Sequence, residues 1–231
     1  MLARFRLALV GLLLASSAFA QSKLGPRAGP APDPLYEAVE PKFKEQVAKV
    51  LKSPTVTTRY AEGAFPAHAT VYAWMLEHPD RVSLAWQRVQ VPCVEIADLG
   101  NGSFRWTDEQ GSELTWQAVG KAADGVVWYA TGKVKAATLL PMVPVRAVAL
   151  LKFPSKPLDD TGSAAMRPEI TISVQTDSRT ANAVLRIVGP AAPKMAEQGA
   201  EQLLYFFSGI AKHLHKHPDQ VQAVLAPKAG K

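Results

Sequence analysis

Ala196-Glu197-Gln198-Gly199-Ala200-Glu201-Gln202-Leu203-Leu204-Tyr205-Phe206-Phe207-Ser208-Gly209-Ile210-Ala211-Lys212-His213-Leu214 is the stretch whose reading decides the fold. Ala196, Gly199, Leu203, Phe207, Ile210 and Leu214 recur at intervals of three and four, with Leu204 and Phe206 widening the stripe. That period gives one apolar face along a helix. Pro190 and Pro193 flank its start, and Pro218 ends it. Such a face must be buried on a partner, and what precedes it reads as sheet. The expected fold is therefore α+β, with the long C-terminal helix laid across the dry face of an antiparallel sheet.

Working back from the helix, Ile170, Ile172 and Val174 alternate with Thr171, Ser173 and Gln175, the pattern of a strand with one wet face. Val145 to Phe153 and Val126 to Ala130 read as further strands. Phe104-Arg105-Trp106 and Leu114-Thr115-Trp116 alternate around Asp108-Glu109-Gln110-Gly111, a hairpin turn. Regular pairing puts Phe104, Trp106, Leu114 and Trp116 on one face. Val91 to Ile96 is strand-like, and Gly100-Asn101-Gly102 is a turn. Leu139 to Pro144 is apolar but carries Pro141 and Pro144, so it is expected to be a covering loop.

Toward the N-terminus, Thr55 to Tyr60 is β-branched and strand-like, and Phe65-Pro66-Ala67 breaks it. A helix carrying Val71, Trp74 and Met75 follows, and a further helical turn runs from Asp80 to Trp86. Before the strand, Pro41 starts a helix on which Phe43, Val47, Val50 and Leu51 share a face. Asp177 to Thr180 reads as a capping turn into a helix at Ala181–Val188.

The first twenty residues carry a different message. Arg4 and Arg6 precede an apolar run from Leu7 to Ala15, and Ala18-Phe19-Ala20 offers a cleavage site before Gln21. This is the order of a secretory signal peptide. The run falls short of the roughly 20 apolar residues that span a bilayer. The expected location is the periplasm or the extracellular space. Residues 21–34 are a Pro- and Gly-rich linker, 35–54 the N-terminal helix, 55–218 the main domain and 219–231 a flexible tail.

The 231-residue chain has a formal net charge of +6, and the signal's two arginines lower that to +4 beyond the cut. Basic residues so thinly spread do not make a nucleic-acid footprint. Hydrophobic residues at 48% are enough for a core without disulfides. Cys93, the single cysteine, can form neither an internal disulfide nor a thiolate metal site, and reads as a buried, inert thiol.

The order of elements resembles the helix-grip superfamily of steroid-transfer (START) domains, birch-pollen-allergen-like and polyketide-cyclase-like proteins. The resemblance spans roughly Thr55 to His217, and is most marked where Ala64-Phe65-Pro66-Ala67 leads into Val71-Tyr72-Ala73-Trp74-Met75. It is one of topology, so no functional residue is carried over. It implies a sheet curled around the C-terminal helix, with a cavity between them for a hydrophobic small molecule or lipid. Phe104, Trp106, Trp116, Trp128 and Phe207 are the candidate ligand-binding residues, or else plain core. Arg146 either fixes a carboxylate or phosphate head group there or faces outward on the wet side. Leu139, Leu140, Met142 and Val143 are candidates for a lid with transient membrane contact.

Chemistry is thinly written in the rest of the chain. His213 and His217 share a helix face at a zinc-binding spacing, but cationic side chains at a helix end have a plainer explanation in the macrodipole. Ser112 lacks the setting of a hydrolase nucleophile, and Glu95, Asp98 and Asp108 read as loop acids. No cofactor, metal or catalytic motif is expected. The leading reading is a non-catalytic binder of an apolar or amphipathic molecule. Its rivals are a cyclase-like or hydrolytic enzyme and a cavity-free interaction module.

Overall fold

The computed structural model describes residues 34–135, 142–160, 162–176 and 192–227. The signal peptide, the linker up to Asp33, the candidate lid residues Leu139 to Pro141, the expected helix at Ala181–Val188 and the last four residues lie outside them.

Seven antiparallel strands form the main sheet, in the order β1 (Val56–Ala61), β10 (Glu169–Gln175), β7 (Val143–Lys152), β6 (Gly125–Val134), β5 (Glu113–Ala122), β4 (Ser103–Thr107) and β3 (Ile96–Gly100). A small second sheet joins β2 (Phe65–His68), β9 (Ser163–Met166) and β8 (Ser155–Pro157). The helices are α1 (Pro34–Glu37), α2 (Pro41–Lys52), α3 (Ala69–Glu77), α4 (Pro79–Arg88), α5 (Ala192–Lys216) and α6 (Val221–Leu225). This is the α+β helix-grip arrangement, with α5 packed on one face of the sheet. Among the described residues, no helix is long and apolar enough to cross a membrane.

The hairpin register matches the alternation in the sequence. Phe104 pairs with Trp116 and Trp106 with Leu114, so all four stand on one face. A bulge between Ala118 and Gly120 bends β5 where it meets β6. At that bend the chain entering α2 crosses close by, with Glu40 N–H donating to Val119 O at 2.8 Å. Gly120 is required there, because a Cβ would stand 2.8 Å from the Ala38 carbonyl oxygen.

The other face of the sheet is not wet throughout. Leu35, Val39, Val47 and Val50 cover Val119, Val127, Val148 and Leu150 in a second apolar core, with Phe43 and Tyr129 beside it. On β10, Ser173 and Gln175 are accordingly buried along with Ile172 and Val174. Gln175 Nε2 donates to the carbonyls of Lys49 and Ser53 at the end of α2. Period-two alternation separates two faces but does not say what covers the polar one. The N-terminal helix thus packs on the domain.

Other expectations need correction. Phe65-Pro66-Ala67 is not a break but part of β2, whose ladder runs only to β9, and an edge strand tolerates Pro66. On α3 the buried residues are Tyr72, Met75 and Leu76, while Trp74 is exposed and stacks on His78 at 4.1 Å. Val143 and Pro144 belong to β7, not to a loop. Pro144 pairs with Lys133 of β6, but the β10 ladder ends at Arg146, so fewer partners depend on its missing N–H. The region from Val91 to Glu95 is irregular, and its strand begins at Ile96. Past α5 the chain folds into a 3₁₀ turn (Pro218–Gln220) and α6, whereas a flexible tail was expected from residue 219. Arg88 holds this end by donating to the carbonyls of Val224, Ala226 and Pro227.

Candidate functional site, an apolar cavity beneath the C-terminal helix

The concave face of the sheet pairs large side chains with small ones. Trp116 stands opposite Ala130, Trp128 opposite both Ala118 and Ala149, and Ala130 opposite Ala147. The tryptophans reach toward α5, and the alanines leave room beside them. The result is a cavity of about 120 Å³ between the sheet and α5. Its walls include Trp106, Trp116, Trp128, Leu203, Phe206 and Phe207, with Ala130, Ala147 and Ala149 on its sheet side. Pro79, the first residue of α4, and Ile96, the first of β3, border it as well.

α5 is held against the sheet by specific contacts. Phe207 tilts against Trp128 with ring centroids 5.6 Å apart and meets Phe206 edge-on at 4.9 Å. Trp86 Nε1 donates to the Phe206 carbonyl at 2.9 Å. Gly209 lets that ring lie close, since a Cβ would stand 2.5 Å from the Trp86 ring. Farther along, Lys212 pairs with the carboxylate of Glu62 and sits over the Phe65 ring.

Trp106, Trp116, Trp128 and Phe207, read from the sequence as candidates, thus meet at one cavity. Phe104 is buried behind it and tilts against Trp116 at 6.0 Å. Arg146 is not brought to this site. It alternates with the cavity-lining Ala147 and lies on the opposite face, beside Thr131 and Gln175. The single-residue step of a strand decides this, and a lone Arg in an apolar run does not reveal which side it takes. Reading the sequence for aromatics missed Ala130, Ala147 and Ala149. Their signal was present as small residues at alternate positions of β6 and β7.

Every side chain lining the cavity is apolar. Trp106 Nε1 is a buried donor with no partner, the one polar group so placed among the lining residues. The other candidates for chemistry lie elsewhere. Ser112 is fully buried, and its Oγ accepts from the Lys135 N–H. Asp98 and Asp108 accept backbone N–H groups within their own turns. The His213 and His217 rings are 4.8 Å apart, and no group of three potential metal ligands occurs among the described residues. Cys93 is half-buried, and burial pushes its thiol up to about 11. Burial also raises the Tyr72 hydroxyl, with the Glu62 carboxylate adding to the effect.

No protein-family model matches the chain, and no curated protein matches it. Among solved structures it is similar to a conserved protein from Geobacillus kaustophilus, at 13% identity over 70% of this chain and 96% of that one, with a TM-score of 0.43. It is also similar to Ara h 8.0201, at 9% identity over 70% of this chain and 99% of that one, with a TM-score of 0.42. The assignment to the helix-grip arrangement rests on the sheet order and the placement of α5 described above.

Proposed function

We propose that this protein is exported and binds a small apolar molecule, or the apolar part of an amphipathic one, without transforming it. The observation that carries the reading is the cavity under α5, walled by aromatic and aliphatic side chains alone. Transfer of apolar surface from water into such a space contributes about 25 cal/mol per Å². Size narrows the ligand. A cavity of about 120 Å³ is smaller than the typical pocket of roughly 300–1,000 Å³ for drug-sized ligands. It is nearer to the dry cavities of about 150 Å³ that take up benzene. A one-ring molecule fits as the walls stand, whereas a lipid chain requires α5 to move away from the sheet. Export rests on Arg4, Arg6, the apolar run and Ala18-Phe19-Ala20. Met142, exposed just before β7, retains a place in the proposed membrane contact.

The enzymatic alternative calls for acids or bases converging on the pocket, and the apolar lining favours binding over it. Three tryptophans line the cavity, so binding is readable in their emission. Titration with toluene, phenol and a short-chain fatty acid should give a saturable change in the emission of Trp106, Trp116 and Trp128. No saturable change with any of the three, in protein shown to be folded, overturns the reading.

A further inference from the structure

His213 and His217 stand one helical turn apart at the C-terminal end of α5, with ring centroids 4.8 Å apart and ring planes 43° from parallel. His213 is half-buried and His217 exposed, so solvent reaches the pair. Among the described residues, no third His, Cys, Asp or Glu completes a group with them. The fold brings a donor of another kind. Pro218 opens the 3₁₀ turn Pro218–Gln220, which Gln220 N–H closes by donating to the His217 carbonyl at 3.0 Å. Gln220 thereby comes back to the helix end, where its Oε1 lies 3.3 Å from His213 Nε2.

These separations suit groups that share one coordination sphere. Two donors each about 2.1 Å from a metal, at angles of roughly 90–110°, stand about 3.0–3.4 Å apart. The distance from His213 Nε2 to Gln220 Oε1 falls inside that window. An imidazole centre sits roughly 3.2 Å from the ion it ligates, so two such rings have centres about 4.5–5.2 Å apart. The His213 and His217 rings meet that condition as they stand. At 3.3 Å the bond from His213 to Gln220 is long for an N–H donor, so exchanging it for a metal costs little. The imidazole then carries its proton on the other ring nitrogen. The helix end adds the partial negative charge of its last carbonyls. Of the nearby cations, Lys212 is paired with Glu62, and exposed Lys216 is offset by Asp219 in the turn.

We propose that His213 Nε2, a ring nitrogen of His217 and Gln220 Oε1 form a solvent-accessible site for a divalent transition metal, with water completing the sphere. Two imidazoles favour Cu²⁺, Ni²⁺ and Zn²⁺ over Mg²⁺ and Ca²⁺, and the order of intrinsic affinity puts Cu²⁺ first. The bound ion ties the 3₁₀ turn to α5 and stabilises the folded chain by linkage.

The test is isothermal titration calorimetry of the tag-free mature protein with CuCl₂, NiCl₂, ZnCl₂ and MgCl₂ near neutral pH. The expected result is one Cu²⁺ per chain, bound at least ten-fold more tightly than Zn²⁺, with no binding of Mg²⁺. Electron paramagnetic resonance of the copper complex should show coupling to two imidazole nitrogens. His213→Gln and His217→Gln should each weaken Cu²⁺ at least ten-fold, with circular dichroism reporting an intact fold. Gln220→Ala should weaken it several-fold, whereas Gln220→Glu, which gives the third donor a formal charge, should tighten it. His68 and His215, a second pair of rings 5.9 Å apart, serve as the control, and His68→Gln with His215→Gln should leave copper binding unchanged. No copper binding, binding that survives His217→Gln, binding lost only in the His68 and His215 double variant, or indifference to both Gln220 variants would overturn the inference.

Discussion

Trp116 on β5 stands directly across the ladder from Ala130 on β6, and both border the cavity under α5. That pairing of the largest side chain with a small one is how an antiparallel sheet, otherwise close-packed, keeps an internal space. The same device recurs at Trp128 with Ala149.

If the alanines create the space, enlarging one should remove it. Ala147→Leu is expected to abolish uptake of a one-ring ligand, measured by tryptophan emission. The added methylenes enter a void, so the fold should survive, with a cost below the 1–3 kcal/mol of overpacking a filled core. Retained binding in folded Ala147→Leu would place the ligand elsewhere.

Removing the aromatic walls should weaken binding as well, by loss of contact rather than of space. Trp106→Ala with Trp116→Ala should weaken one-ring ligands at least ten-fold by removing their contacts. Because Trp106 is fully buried, truncation there costs roughly 3–5 kcal/mol. Trp116→Ala alone, at a half-buried position, is the folded control, and unchanged affinity in it would remove this wall from the site.

Gly209 and Trp86 set how closely α4 approaches α5. Gly209→Ala puts a methyl where the Trp86 ring lies and strains the Trp86 Nε1 bond to the Phe206 carbonyl. A loss of about 1–3 kcal/mol follows from such overpacking, readable as a drop of several degrees in Tm. A Tm equal to that of the parent protein would show that the ring has room to move.

Glu62 and Lys212 form the ion pair that ties α5 to the chain between β1 and β2. The Glu62 side chain is 15% exposed, and its Oε2 has no partner, so removing Lys212 leaves a largely buried charge uncompensated. Lys212→Met should destabilise by about 2–4 kcal/mol, and adding Glu62→Gln should restore part of it. Denaturant melts of the single and double variants check both, and additive losses would contradict the pairing.

Cys93 gives a pH-dependent readout. Burial raises its thiol from 9.0 to about 11, so at pH 8 the native thiolate fraction is about 100-fold below that of the unfolded chain. Alkylation by iodoacetamide should be slower in the native state by that order. The sign for stability follows. The group's contribution is fully present below the unfolded value near 9 and is lost as pH rises through about 11, because only the unfolded thiol ionises freely in between. Native and denatured protein reacting at equal rates at pH 8 would contradict the burial.

Much of the sheet and the long helix was legible in the sequence, because each carries its own period. The hairpin face of Phe104, Trp106, Leu114 and Trp116 and the start of α2 at Pro41 followed from spacing and a single proline. What sequence could not supply was the identity of the covering layer. Ser173 and Gln175 look solvent-facing until α2 is placed above them. Short strands such as Ser155–Pro157 and Ser163–Met166 carry too few residues for a period to emerge. The aromatic walls of the cavity were readable, but its volume was not, since space is made by the alanines opposite. Arg146 shows the same limit, because only the register says which face it takes.

Native mass spectrometry of the mature protein from its own host, followed by organic extraction, asks directly whether the cavity under α5 holds a molecule. One apolar or amphipathic molecule per chain is expected, released by extraction and absent from Ala147→Leu. A chain that is always empty, and equally empty after exposure to toluene, phenol and fatty acid, would contradict it.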